Sequence, residues 1–107
     1  MRGYILVTTS TMQGWLPLAA EGEEYEYPLV QRLPDGTLMV NVIHITDCGM
    51  YISEADCEGQ DCVEEGYVTL ENRSERVLGS YIVCLPHQLM LQLFSVEELL
   101  EMYGGGQ

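Results

Sequence analysis

Pro34-Asp35-Gly36 separates two runs of strand-forming residues, 27–33 and 37–45. Proline pre-sets the φ angle of a turn and glycine accepts the positive φ that closes it, so this spacing predicts an antiparallel hairpin. The second arm, Leu38-Met39-Val40-Asn41-Val42-Ile43, reads as apolar on both faces. That pattern predicts a central place in a sheet.

Further strands are predicted on either side of the hairpin. Residues 4–9 are rich in β-formers and read as a first strand. Residues 10–22 contain Gly14 and Pro17 and read as a loop, with Trp15, Leu16 and Leu18 folding back onto the core. From 47 to 66 the chain is polar, acidic and cysteine-rich, a loop around a short strand at 50–53. Strand character returns at 67–71 and at 77–85. Residues 86–94 fit two patterns. Leu89, Leu93, Val96, Leu100 and Tyr103 fit one helical face, whereas Leu89, Leu91 and Leu93 alternate with polar or flexible neighbours as in a strand. Ser95 followed by Glu98 is a capping box, which marks a helix start. The expectation is therefore a strand at 87–94 and a helix at 96–103, ended by Gly104-Gly105-Gly106. Residues 1–107 read as one α+β domain: a small, mostly antiparallel sheet of five to six strands with one C-terminal helix packed on it.

The chain has no lysine, and its 17 Asp and Glu face only four arginines (Arg2, Arg32, Arg73, Arg76), for a formal charge of −13. An apolar content of 47% and seven tyrosines distinguish it from a disordered acidic segment. No stretch of 18 apolar residues exists to span a membrane. Thr8, Thr9, Ser10 and Thr11 interrupt the only run resembling a secretory leader. The expected location is the cytoplasm, where Cys48, Cys57, Cys62 and Cys84 stay as thiols. So much negative charge repels nucleic acid and anionic membrane, and its partners should be basic proteins or cations.

The carboxylates fall in two blocks. Glu21, Glu23, Glu24 and Glu26 form the first, and Asp47, Glu54, Asp56, Glu58, Asp61, Glu64 and Glu65 the second. If extended, Glu54, Asp56 and Glu58 share one side at ~6.6 Å spacing, close to the ~6.8 Å advance of every second phosphate along DNA. Tyr25 and Tyr27 lie among the first block, and an arginine on a partner can stack on tyrosine while pairing with a neighbouring carboxylate. Two metal readings compete. Glu54-x-Asp56-x-Glu58-Gly59 with Glu65 overlays part of a calcium-loop pattern, without a preceding helix. Cys48, Cys57 and Cys62 offer thiolates for zinc, with Cys84 and His87 as possible fourth ligands, although Cys84 reads equally well as an ordinary core thiol. His44 and His87 match no catalytic motif, and neither nucleophile elbow nor phosphate loop occurs. The sequence therefore predicts a non-enzymatic protein with no cofactor. Its role would be to bind a basic surface, such as that of a nucleic-acid-binding nuclease or effector, with carboxylates standing in for phosphates. Small acidic anti-CRISPR and anti-restriction proteins are similar in size and charge, and in nothing more specific. The alternatives are a metal-stabilised accessory protein and a housekeeping subunit whose acidity is incidental.

Overall fold

The computed structural model describes residues 1–57 and 59–103. Among the described residues, eight strands form two antiparallel four-stranded sheets. They are β1 (Gly3–Thr8), β2 (Gln13–Pro17), β3 (Glu24–Arg32), β4 (Leu38–Thr46), β5 (Gly49–Ala55), β6 (Val68–Thr69), β7 (Tyr81–Cys84) and β8 (Leu89–Ser95). The first sheet has the order β2-β1-β8-β7 and the second β3-β4-β5-β6. A one-turn helix, α1 (Asp61–Glu64), lies between β5 and β6, and α2 (Val96–Tyr103) follows β8.

Alternation along the strands builds one core shared by both sheets. Ile5 and Val7 of β1, Ile82 of β7 and Leu89, Leu91 and Leu93 of β8 meet Leu29, Ile43, Ile45, Met50, Ile52 and Val68 of the second sheet. Truncating any one of the large residues to alanine costs about 2–5 kcal/mol. Gly49 is required where β5 meets β6, because a Cβ there would stand 1.9 Å from the Val68 carbonyl oxygen. The sheets are also joined through the backbone, where Leu18 N–H donates to Gly3 O and Ala19 N–H to Thr46 O.

The predicted hairpin is present. Gly36 has φ +91°, Asp35 Oδ1 accepts from Thr37 N–H at 2.9 Å, and β4 lies between β3 and β5. The strand count exceeds the expected five to six. Residues 13–17 are not loop but β2, an edge strand that tolerates Pro17 at its last position. The expected strand at 77–85 shortens to β7, because Gly79 turns the chain at φ +62° and leaves Val77 and Leu78 exposed.

The capping box is fully formed: Glu98 N–H donates to Ser95 Oγ at 3.1 Å and Ser95 N–H to Glu98 Oε1 at 2.8 Å. Glu98 Oε1 also accepts from Arg73. Burial pushes the Glu98 carboxyl up, but the Ser95 amide and Arg73 outweigh it and hold the group below the usual carboxylate range. The helix itself is not packed down as expected. None of its residues is fully buried, and Leu100, Met102 and Tyr103 are exposed. The glycines assigned to its end, 104–106, lie outside the described residues. Among the described residues, no helix is long and apolar enough to cross a membrane.

Candidate functional site

The hairpin turn sets what stands on the solvent face of the second sheet. With Asp35 at its centre, Glu26 must lie opposite His44 and Glu24 opposite Thr46, and they do. The glutamates point outward, 64% and 57% exposed, while the His44 side chain is only 15% exposed. His44 Nε2 lies 2.9 Å from Glu24 Oε1, and Nδ1 lies 3.6 Å from Glu26 Oε2. One imidazole thus bridges two carboxylates of the neighbouring strand. Its ring stacks on Tyr51 of β5, centroids 4.7 Å apart, and Tyr51 meets Tyr67 edge-on at 5.7 Å. Ser53 Oγ donates to Glu26 Oε2 at 3.4 Å. Glu54 follows Ser53 at a β-bulge opposite Val42 and is exposed.

This surface holds carboxylates in fixed positions beside aromatic rings. Such a combination suits a guanidinium, which stacks on a ring face while its N–H groups pair with carboxylate oxygens. Among the described residues, no arginine of the chain pairs with Glu24 or Glu26. Arg2 pairs with Glu71 and Arg73 with Glu98. Arg76 donates to the carbonyls of Gly79, Tyr81 and Glu65.

The other sequence candidates are placed as follows. Tyr25 packs against the core and donates its hydroxyl to Pro17 O, and burial pushes its pKa up. Tyr27, on the same side of β3, lines a shallow hollow with Trp15 and Leu29. Glu21 and Glu23 are exposed in the turn leading into β3, where Gly22 N–H donates to Asp47 Oδ2 at 2.9 Å. Asp56 lies past the end of β5, where Oδ1 accepts from Val40 N–H at 3.0 Å and stands 3.2 Å from His87 Nε2. Glu65 Oε1 accepts from Val83 N–H at 2.8 Å, tying the end of α1 to β7. Glu64 is exposed on α1. Glu58 and the side chain of Asp61 lie outside the described residues. Because β5 ends at Ala55, no extended row continues from Glu54 through Asp56.

Cys57, Cys62 and Cys84 come together in the core, whereas Cys48 lies elsewhere, its sulfur 3.3 Å from the Tyr67 hydroxyl. Among the described residues, this trio is the only group of three or more Cys, His, Asp or Glu whose ligand atoms converge. Burial pushes the Cys57 and Cys62 thiols up, and the neighbouring Cys84 adds to both shifts. Tyr67 is raised by burial and by its hydrogen bond to Cys48, against the lowering effect of Thr46.

Sequence reasoning did not single out His44, Tyr51, Ser53 and Tyr67 for this surface. The hairpin register carried the signal for His44, since residues that sum to 70 stand opposite one another around Asp35. In β5 the pairing with β4 runs in regular register through Tyr51 and Ile52, and the bulge at Ser53 shifts it only for Glu54 and Ala55.

No curated protein matches the chain. Among solved structures it is similar to a DUF1312 family protein from Enterococcus faecalis, 20% identical over 88% of this chain and 98% of that one, with a TM-score of 0.65. It is likewise similar to the Lin0431 protein from Listeria innocua, 18% identical over 90% and 99%, TM-score 0.62. A DUF1312 family protein from Ruminococcus gnavus is 24% identical over 87% and 97%, TM-score 0.53. These likenesses support the fold: two four-stranded antiparallel sheets with a short C-terminal helix. Residues 7–97 match the family described as NusG domain II, and the chain belongs to that family.

Proposed function

We propose that this protein is a non-enzymatic interaction module that acts in the cytoplasm and binds a basic, arginine-bearing protein surface through the outer face of its second sheet. One observation carries the reading. Glu24 and Glu26 are held by His44 beside Tyr51, and no arginine of the chain, among the described residues, neutralises them. Fixing the carboxylates in advance lowers the entropic cost of binding, which is what separates a recognition surface from a merely charged one. Their α-carbons are two residues apart on one strand, ~6.6 Å by strand geometry. That spacing is near the advance of alternate phosphates along a nucleic-acid strand. The partner class is therefore a nucleic-acid-binding protein, and a chain seated in its phosphate groove inhibits it by competition.

The test is capture of partners from lysate of the source organism by the wild-type chain and by an E24Q/E26Q/Y51A variant, at low and high salt. The expected result is a nucleic-acid-binding protein retained by wild type at low salt only, and lost with the variant. Exposed charges are screened within about 10 Å at 0.1 M salt, so a contact made by them weakens as salt rises. Retention indifferent to both salt and the substitutions overturns the reading.

A further inference from the structure

Three thiols from three different elements meet where the two sheets join. Cys57 follows β5, Cys62 lies in α1 and Cys84 ends β7, and all three are buried. Their sulfurs lie within 4.8 Å of one another, those of Cys57 and Cys62 being 3.6 Å apart. A tetrahedral zinc ion with Zn–S bonds near 2.3 Å separates its sulfurs by about 3.8 Å. The thiols thus stand close to the face of such a tetrahedron, while the Cys57–Cys62 distance is well beyond the ~2.05 Å of a disulfide.

A second observation points to charged sulfur. A core thiol behaves as a small apolar group and has no need of amide donors. Here one amide is aimed at a sulfur: Asn41 Nδ2 donates to Cys62 Sγ at 3.7 Å, while Gln60, whose two N–H groups are taken by carbonyls, stands beside Cys57. Both amides are held in place. Asn41 is fully buried, and its Oδ1 accepts from His87 Nδ1 at 2.7 Å, which turns the amide N–H toward Cys62. His87, itself buried, is braced in turn by Asp56. Gln60 has φ +59°, a left-handed backbone uncommon outside glycine, and its amide is anchored on the carbonyls of Ala55 and Cys57. An amide donor to the Cys62 sulfur, oriented by a further ring and carboxylate, suits a metal-bound thiolate.

We propose that Cys57, Cys62 and Cys84 form a zinc site of three thiolates that staples the second sheet, through α1, to β7 of the first. Binding would exchange the three thiol protons, released to solvent, for one cation held by the three thiolates. The strongly negative chain favours cation entry. Cys48 takes no part.

The test is zinc uptake by the full-length, reduced chain, with bound metal measured by elemental analysis. Cobalt(II) serves as the spectroscopic probe, because its thiolate charge-transfer absorption counts sulfur ligands. The expected result is one equivalent of zinc per chain in wild type and in Cys48→Ser, with affinity at least about tenfold weaker in Cys84→Ser. Absence of zinc in the folded wild-type chain overturns the site, as does uptake that Cys84→Ser retains in full or that Cys48→Ser loses. If Cys84→Ser does not fold, alkylation of the wild-type chain in mild urea decides. Zinc should then protect three of the four cysteines, leaving Cys48 reactive, and protection of fewer than three overturns the site.

Discussion

Replacing Asn41 with alanine should be among the most damaging single changes outside the apolar core. The side chain is fully buried in β4 and serves His87 Nδ1 at 2.7 Å and Cys62 Sγ at 3.7 Å. Truncation leaves the buried His87 N–H without its acceptor, a desolvation cost of about 1–3 kcal/mol. The space vacated by the amide adds roughly 1 kcal/mol, given that residual cavities cost about 24 cal/mol per Å³. The expected loss is therefore about 2–4 kcal/mol, a large share of the roughly 5–15 kcal/mol that holds a domain together. Urea denaturation followed by circular dichroism measures it as a shift of the midpoint at constant slope. The double variant Asn41→Ala/His87→Ala separates the two contributions. With the ring gone there is no orphaned donor, so the cycle should show a coupling of about 1–2 kcal/mol between the two positions. A loss below about 1 kcal/mol, or a coupling within about 0.5 kcal/mol of zero, would refute the reasoning.

Other perturbations follow from the same geometry. Glu98→Ala removes the acceptor for Ser95 N–H and the partner of Arg73, and should cost about 1–2.5 kcal/mol at neutral pH by thermal unfolding. Because the folded Glu98 carboxyl lies below its unfolded value, that stability is present above about pH 4.3 and is lost as pH falls through the folded pKa, so Glu98→Ala should reduce the acid-range loss and leave the shares of Asp35 and Glu71. Cys57, Cys62, Tyr25 and Tyr67 are all raised in the fold, so the metal-free protein should lose stability as pH climbs above about 8.5, where the unfolded chain begins to shed thiol protons first. A flat urea midpoint from pH 7 to 10 would contradict that. Val77→Ala should change stability by less than about 0.5 kcal/mol, since its side chain is fully exposed beside the Gly79 turn.

What the sequence made legible was local. The Pro34-Asp35-Gly36 turn specified a hairpin, and with it the pairing of Glu26 with His44, because a two-sided register follows from the turn alone. The capping box at Ser95 and Glu98 settled the change from strand to helix, because both halves of that signal lie within four residues. Strand β2 stayed hidden because Gly14 and Pro17 imitate loop composition, and an edge strand needs neither alternation nor high propensity. The thiol trio was only half visible. Cys57 and Cys62 are neighbours in sequence, but Cys84 reaches them from the other sheet, and only the joining of the sheets excludes Cys48 in its favour. Tyr51 stands opposite His44 in regular register, and Tyr67 meets it edge-on from the β5–β6 side.

On the proposed function, the outer face of the second sheet recognises arginine, not merely positive charge. Backbone amide shifts of the isotope-labelled protein, followed during titration with an arginine-rich peptide and with its lysine counterpart, test it directly. The expected result is tighter binding of the arginine peptide, weakened by salt, with shifts concentrated at Glu24, Glu26, His44, Tyr51, Ser53 and Tyr67. Equal affinity for both peptides, with small shifts spread over all the acidic residues, would contradict it.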